Sequence, residues 1–417
     1  MVKESGMSER YTIGIEEEFQ IVDRNTGQLS PQIMPLLQKG APFFGDQIKP
    51  EMLQPTVELI SKVYPNIIVA RSETQRLRAR LASMLAEDGL ALISAGTNPG
   101  AHWTDQLVTP NPRYHELLEE FQDVGRSILI FGLHIHIAVE NNEIAVILMN
   151  QLRTWLPHLL ALSSNSPFWS GRLTGLKSYR TVVWKRLPRS GLPDTFQSWN
   201  EFNHYVHTLI ETGCIDNGKK IWWDIRPHPF FGTVEFRIFD MPSTLDDVIG
   251  IAALCQSLVA KLSWLHKHGI EVPVVPRNLL EENKWRAMRY GLDACVVDFG
   301  QGRSLSIRDS IHELLDMVDD VAGDLGTRSD LAYLRNLVDD PGTLTGNTQN
   351  GDGPPQGGPS PFCACLIYPT NATRRQNAAS PPLNFQGKQP THIRWSSTSS
   401  IIPPAFSTWK TPWGNIS

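Results

Sequence analysis

The sequence predicts an α+β fold, with a largely antiparallel sheet and flanking helices. Strand-like stretches occur singly or in pairs between long helical segments, without the regular strand–helix alternation of parallel folds. A glycine-rich phosphate loop is missing from the sequence, which disfavours a Rossmann-type fold. With 417 residues, of which 41 % are hydrophobic, the chain is long enough to bury a large core.

Four short apolar stretches are predicted to be strands, and each carries charged or histidine side chains. They span residues 13–19, 56–60, 132–137 and 233–238. Side chains two residues apart on a strand share a face of the sheet. The pairs that share a face in this way are Glu16 with Glu18, His134 with His136, and Glu235 with Arg237.

This clustering of carboxylates predicts a metal-dependent site. Ionised carboxylates are rarely buried without a partner, so a sheet face with this many requires a cation to neutralise it. An oxygen-rich ligand set suits Mg²⁺, or Mn²⁺ as an alternative, better than zinc. Three other interpretations stay open: an acidic stripe facing solvent at Glu16 and Glu18, core histidines at 134 and 136, and a simple ion pair between Glu235 and Arg237.

Helices are predicted where longer segments follow capping residues or end at glycine. The first ends before Gly89, and the third follows the possible caps Ser243 and Thr244. The apolar run at 248–260 is too short to span a bilayer and predicts a buried helix. The five predicted helices span residues 66–87, 142–163, 245–268, 280–290 and 306–322.

Composition narrows the class of protein. A net charge of −5 gives no reason to expect a nucleic-acid partner. Five cysteines form no disulfide framework and suggest a reducing compartment. The polar first ten residues show no signal peptide. We therefore expect a soluble, cytoplasmic protein without a membrane partner.

The composition changes abruptly near residue 342. Residues 343–417 contain 11 prolines, 7 glycines and a single acidic residue, Asp352. Such a segment cannot offset its ordering entropy, which predicts a disordered tail. The tail is either a natural extension or the product of a frameshift. The predicted organisation is a flexible N-terminus at 1–10, a catalytic domain at 11–342 and the tail at 343–417.

The order of six motifs resembles the type 2 glutamate–cysteine ligase family, the YbdK-like carboxylate–amine ligases. The resemblance covers residues 11–342 and implies a glutamine synthetase-like fold, in which a curved antiparallel sheet holds ATP and Mg²⁺ against one face. The motifs are Gly14-Ile15-Glu16-Glu17-Glu18, Ala95-Gly96-Thr97, Gly132-Leu133-His134-Ile135-His136, residues 160–169, Trp223-Asp224-Ile225-Arg226-Pro227 and Gly232-Thr233-Val234-Glu235-Phe236-Arg237.

The resemblance also implies a reaction: ATP-dependent amide formation through an acyl phosphate. The implied substrates are glutamate or a similar carboxylate and cysteine or another amine, and a homodimer is possible. Arg237 and Glu235 would contact ATP, with Arg237 at the transferred phosphate and Arg180 at the phosphate or the substrate carboxylate. The residues implied to hold or adjoin the metals are Glu16, Glu18, Glu51, Glu58, His134 and Glu235.

Three departures from the family pattern leave the substrate and the activity open. Asn98 replaces a frequent histidine, Leu173 replaces a usual acidic residue, and the C-terminal helical stretch expected after residue 342 is absent from the sequence. The alternatives are a ligase for a different amine and a catalytically impaired nucleotide-binding protein. A metallohydrolase built on His134 and His136 is a further alternative.

Overall fold

An antiparallel sheet forms the centre of the computed structural model, which describes residues 10–340 and 366–367. Its strands lie in the order β10-β11-β5-β1-β3-β2, and β4 pairs with the second half of β1 and with β14. The strands of this sheet are β1 (Ile13–Asp23), β2 (Ile48–Pro50), β3 (Thr56–Ile60), β4 (Leu90–Ile93), β5 (Gly132–Ala138), β10 (Ile225–Pro227), β11 (Thr233–Asp240) and β14 (Leu366–Ile367).

Within the described residues, three small two-stranded sheets lie outside the main one, and the pair β8–β9 is parallel whereas the other two are antiparallel. Their strands are β6 (Phe168–Trp169), β7 (Arg172–Leu173), β8 (Ser190–Gly191), β9 (Trp222–Trp223), β12 (Cys295–Asp298) and β13 (Arg303–Ser306). The α+β class and the antiparallel sheet predicted from the sequence are confirmed, and each of the four predicted strands is present.

Helices flank the sheet. They are α1 (Ile33–Phe44), α2 (Ile67–Glu87), α3 (Pro112–Arg126), α4 (Asn142–Leu152), α5 (Leu156–Ser163), α6 (Arg180–Trp184), α7 (Trp199–Glu211), α8 (Leu245–Lys267), α9 (Arg277–Tyr290), α10 (Ile307–Met317), α11 (Asp319–Leu325) and α12 (Arg328–Asp339). Helix α2 begins where the Asn66 side chain accepts a hydrogen bond from the Val69 amide. Thr244 and Asp247 form a capping box at the start of α8.

Two of the predicted helices are each divided in two. The segment 142–163 breaks at a 3₁₀ turn, Arg153–Trp155, because Pro157 lacks the amide hydrogen needed to continue α4. The segment 306–322 divides at Val318 into α10 and α11. The sequence patterns missed α1, α3, α7, α12 and the short helix α6.

Helix α8 is the core helix predicted from the apolar run at 248–260. It packs against β5, α2, α4 and α12. By length and composition alone it could cross a membrane, with a mean hydropathy of 1.7, but 83 % of its most apolar window is buried inside the protein. The core helix of a globular domain has this combination of properties.

The predicted flexible N-terminus and the predicted tail fall almost wholly outside the described residues. Within the tail, residues 366–367 form β14, whose backbone pairs antiparallel with β4. The disorder of the remaining tail residues stays a prediction.

The alternation along β1 places Glu17 on the opposite face from Glu16 and Glu18. There its carboxylate is buried and pairs with Arg78 of α2, with 2.5 Å between Arg78 Nη2 and Glu17 Oε1. Arg78 Nε donates to the same oxygen at 3.0 Å. This ion pair fastens α2 to the back of the sheet, behind the face that carries the other two glutamates.

We predict that Arg78→Ala destabilises the protein by about 3–5 kcal/mol, because it leaves the Glu17 carboxylate buried without its partner. Arg76→Ala is a matched control on the same helix. Arg76 pairs with the exposed Glu73, and its loss is expected to cost less than about 1 kcal/mol. Chemical denaturation of both variants measures the difference, and equal free energies of unfolding would contradict the prediction.

Candidate active site

The strand register brings the charged residues of separate strands onto one face of the sheet. In an antiparallel sheet, directly opposed residues project from the same face. The opposed pairs here are Glu16 with His134, Glu18 with Glu58, Glu235 with His136, Arg226 with Glu235, and Lys49 with Glu58.

These side chains form three overlapping groups that are able to bind a cation. Within each group, potential ligand atoms lie within 4.8 Å of one another. Glu16 and Glu58 each belong to two groups, so the three are contiguous. The groups are Glu16 with His136 and Glu235, Glu16 with Glu58 and His134, and Glu18 with Glu51 and Glu58.

The structure therefore brings together all six residues that the sequence suggested as metal ligands, and it adds His136. Glu51 is the one whose position could not be derived from spacing. It lies in the loop between β2 and β3, which returns it to Glu18 and Glu58 on the sheet face.

Two histidines hold Glu16 in its ionised form. His134 Nδ1 lies 3.0 Å from Glu16 Oε2, and His136 Nε2 lies 3.3 Å from Glu16 Oε1. Burial raises the pKa of Glu16, but the two imidazoles outweigh it, so the net pKa lies well below its ordinary value. The neighbouring Glu18 accepts a hydrogen bond of 2.5 Å from the Gly132 amide.

Among the described residues, no histidine or arginine forms a hydrogen bond with Glu51 or Glu58. Burial, followed by the charge of Glu18, raises the pKa of Glu51 to about 7. Burial, followed by the charge of Glu51, raises the pKa of Glu58 well above its ordinary value. Ionisation of these two carboxyl groups is therefore unfavourable unless a positive charge joins them, as expected of a site that binds a cation.

Glu235 is in a different state, because two arginines pair with it. Arg226 Nε lies 2.6 Å from Glu235 Oε2, and Arg237 Nη1 donates to Oε1 of the same carboxylate. Burial raises the pKa of Glu235, but the two guanidinium groups outweigh it and lower the pKa well below its ordinary value. The ion pair considered from the sequence is thus present, although Arg237 Nε has no partner among the described atoms.

Arg180 lies next to Arg237. Its Nη1 and Nη2 atoms are each 3.4 Å from the Arg237 carbonyl oxygen, while its buried Nε has no partner in residues 10–340. Both guanidinium groups lie over the Trp184 ring, at 5.9 Å for Arg180 and 5.7 Å for Arg237. Burial lowers the pKa of Arg180 from its very high ordinary value.

Most of these residues form the floor of a cleft of about 350 Å³, whereas His136 and Glu235 lie behind it and are not among its lining residues. Helix α3 supplies an apolar wall that includes Leu117 and Phe121, and α6 contributes Trp184. One end of the floor is acidic, and the other carries the arginines. This arrangement can hold cations and anions side by side, as transfer of a phosphoryl group requires.

Sequence reasoning missed two features of the site. Arg226 lies within one of the six motifs, but its bond to Glu235 depends on the register between β10 and β11. Asp240, at the end of β11, carries a buried carboxylate that gave no signal in the sequence pattern. The departures from the family pattern, Asn98 and Leu173, are not among the residues that line the cleft.

Comparison with known proteins identifies the family to which this sequence is similar. Residues 12–350 match the family model described as glutamate-cysteine ligase family 2. A protein of Solibacter usitatus, provisionally named glutamate–cysteine ligase 2, is 48 % identical over 329 residues, which cover 79 % of this chain and 86 % of that protein. A protein of Chloroflexus aurantiacus with the same name is 46 % identical, and the match covers 79 % of this chain and 84 % of that protein.

Solved structures show the same fold at low sequence identity. The Francisella tularensis glutamate–cysteine ligase in complex with AMP aligns with a TM-score of 0.59 and 15 % identity, covering 81 % of this chain and 84 % of that one. A bifunctional glutathione synthetase from Pasteurella multocida aligns with a TM-score of 0.60 and 12 % identity, covering 86 % of this chain and 52 % of that one.

The predicted glutamine synthetase-like fold is confirmed by this likeness and by the antiparallel sheet. The match to the family model covers most of the chain, and the relatives match over most of their own length. The chain therefore belongs to glutamate-cysteine ligase family 2 and is an amide-bond-forming carboxylate–amine ligase that acts on small molecules.

Proposed function

We propose that this protein uses ATP and Mg²⁺ to join the γ-carboxylate of glutamate, or a similar carboxylate, to an amine through an acyl phosphate. The observation that carries the proposal is the contiguous carboxylate and histidine cluster beside Arg237 and Arg180 on the cleft floor. The AMP bound to the Francisella tularensis relative supports the use of a nucleotide.

The donor set fits a hard divalent cation. Its ligands are mostly carboxylate oxygens, and the raised pKa values of Glu51 and Glu58 mark negative charge that a cation would neutralise. When bound, Mg²⁺ supplies the positive charge that lets two anions approach and stabilises the transferred phosphoryl oxygens. The residues that would hold it are Glu16, Glu18, Glu51, Glu58, His134 and Glu235, with Mn²⁺ as an alternative ion.

The arginines are assigned to the phosphoryl group. In the first step a substrate carboxylate oxygen bonds to the γ-phosphorus as its bond to the bridging oxygen breaks, and ADP leaves. Arg237 lines the cleft, its buried Nε has no partner among the described atoms, and Arg180 provides a second cation beside it. These groups are placed to offset the charge that develops on the phosphoryl oxygens.

In the second step the amine nitrogen bonds to the acyl carbon, phosphate leaves with the former carboxylate oxygen, and the amine loses a proton. Cysteine is the amine proposed from the names of the relatives. A different amine would use the same residues.

We expect ADP release only when both a carboxylate and an amine are present with ATP and Mg²⁺, because the acyl phosphate is turned over by the amine. A coupled ADP assay with glutamate and a panel of amines, cysteine included, tests this. Glu16→Gln is the inactive control, since Glu16 belongs to two of the three ligand groups. ADP release without an amine would indicate an ATPase, and nucleotide binding without turnover would favour the catalytically impaired alternative.

Metal binding is predicted to strengthen as pH rises past 7. The pKa of Glu51 is about 7 in the folded protein, above its ordinary value of 4.5, so the metal-free protein loses stability as pH rises through this interval. A bound cation replaces those protons. The rise in melting temperature caused by Mg²⁺ or Mn²⁺ should therefore be larger at pH 8 than at pH 6.

Glu58→Gln provides the control for this measurement. It cannot ionise beside Glu51 and supplies no carboxylate ligand, so the metal-free variant should lose less stability than the wild type between pH 6 and pH 8, and its response to metal should be reduced. A metal-induced shift that is equal at pH 6 and pH 8 in the wild type would contradict the prediction.

Arg237→Lys is predicted to lower kcat by at least about tenfold, equivalent to about 1.4 kcal/mol of barrier, while the KM for ATP changes less. Lysine keeps the charge but loses the planar fork that binds Glu235 and the phosphoryl group together. Arg76→Lys, at an exposed pair on α2, is the matched control and should leave kcat unchanged. A near-normal kcat in Arg237→Lys would mean that Arg237 serves only as an ion-pair partner.

A further inference from the structure

Arg180 is a buried cation at the cleft, yet its own helix cannot hold it in place. Helix α6 has five residues, and its N-terminal position lacks a side-chain cap. The guanidinium group lies closely against the first residue of β5, where a Cβ atom at Gly132 would fall 2.3 Å from Arg180 Nη2. The placement of this side chain therefore depends on the backbone just before α6.

The backbone before α6 is attached to a second segment. The Arg180 amide donates to Ser166 Oγ at 2.9 Å, and the Tyr179 amide donates to the Ser166 carbonyl at 2.9 Å. In return, the Ser166 amide donates to the Lys177 carbonyl at 3.0 Å. Three hydrogen bonds thus join residues 165–166 and 177–180 into one unit.

The buried carboxylate of Asp240 accepts three hydrogen bonds that join this unit to β11. Asp240 Oδ2 accepts hydrogen bonds from the Asn165 amide at 2.8 Å and from Ser166 Oγ at 2.6 Å. Asp240 Oδ1 accepts from Ser178 Oγ at 2.8 Å. We refer to Asp240, Asn165, Ser166 and Ser178 as the Asp240 cluster.

The cluster is packed so closely that a neighbouring residue must be glycine. A Cβ atom at Gly96 would lie 2.8 Å from Asp240 Cγ. The Gly96 amide also donates to the Asn165 carbonyl at 2.9 Å. The motif Ala95-Gly96-Thr97 and the segment 160–169 thus have a physical role that the metal site does not explain.

We propose that Asp240 is a positioning residue, which fixes Arg180 at the cleft by tying segments 165–166 and 177–180 to β11. Because β11 also carries Glu235 and Arg237, the cluster sets the distance between the two arginines of the site. The catalytic part of this inference rests on the proposed function, since it assigns Arg180 to the phosphoryl or carboxylate group. The structural part is independent of it.

The structural part is tested by amide hydrogen exchange of residues 178–184 in Asp240→Asn. Asparagine keeps the shape but presents an NH₂ group to donors, so exchange of this segment should become at least about tenfold faster. Asp247→Asn is the matched control: Asp247 is also buried and accepts hydrogen bonds from Thr244 and Tyr333, but it lies in α8. Unchanged exchange in Asp240→Asn would overturn the proposal. If that variant does not fold, Ser178→Ala removes one hydrogen bond and should give a smaller change in the same direction.

The catalytic part is tested by combining two substitutions. Asp240→Asn should lower kcat at least about tenfold, because small displacements of a catalytic group are costly. In an Arg180→Ala background the same substitution should add less than about threefold, since the residue that it positions is gone. An equal effect in both backgrounds, or a wild-type kcat in either single variant, would overturn the positioning role.

A wild-type enzyme that releases no ADP with any amine would count against the proposed function. The hydrogen-exchange result would then decide the structural part alone.

Discussion

Repulsion among carboxylates on one sheet face is the constraint on which the rest of the structure depends. Glu16 and Glu18 project from β1, Glu58 projects from the neighbouring strand β3, and Glu51 joins them from a loop. Two unit charges separated by 4.8 Å repel each other by about 3–4 kcal/mol at an effective dielectric constant of about 20. A rigid sheet is therefore required to hold these groups together. The back of β1 is anchored by the buried Arg78, which strengthens this support.

This face of the sheet has two electrostatic regions, because arginines neutralise the carboxylate of Glu235 but not those of Glu51 and Glu58. Arg226 and Arg237 pair directly with Glu235, so the charge in that part of the sheet face is balanced. The two guanidinium groups still line the cleft. Glu51 and Glu58 have no such partner among the described residues, so a cation from solution is needed to stabilise their ionised forms. A chain that must bring a polyphosphate and a carboxylate together benefits from both regions in one cleft.

Much of the sheet face could be predicted from the sequence, because the period of two along a strand depends only on local geometry. Glu51 and Arg180 could not be placed in this way, since a loop and a long-range hydrogen-bond network determine their positions. Helix α3 was not predicted from the sequence, because only Tyr114, Leu118 and Gly125 in it are buried. Its side chains nevertheless form a wall of the cleft. Asp240 gave no signal because its partners are 62 or more residues away in the chain.

The central claim is that this carboxylate face binds divalent cations, and the number of ions bound per chain tests it most directly. Equilibrium binding of Mn²⁺ at pH 8, followed by electron paramagnetic resonance, measures that number in the wild type and in Glu16→Gln. Three contiguous ligand groups, two of which share Glu16, predict more than one ion per chain in the wild type and fewer in the variant. A wild-type protein that binds no Mn²⁺, or a Glu16→Gln variant with the same number of ions, would contradict the account.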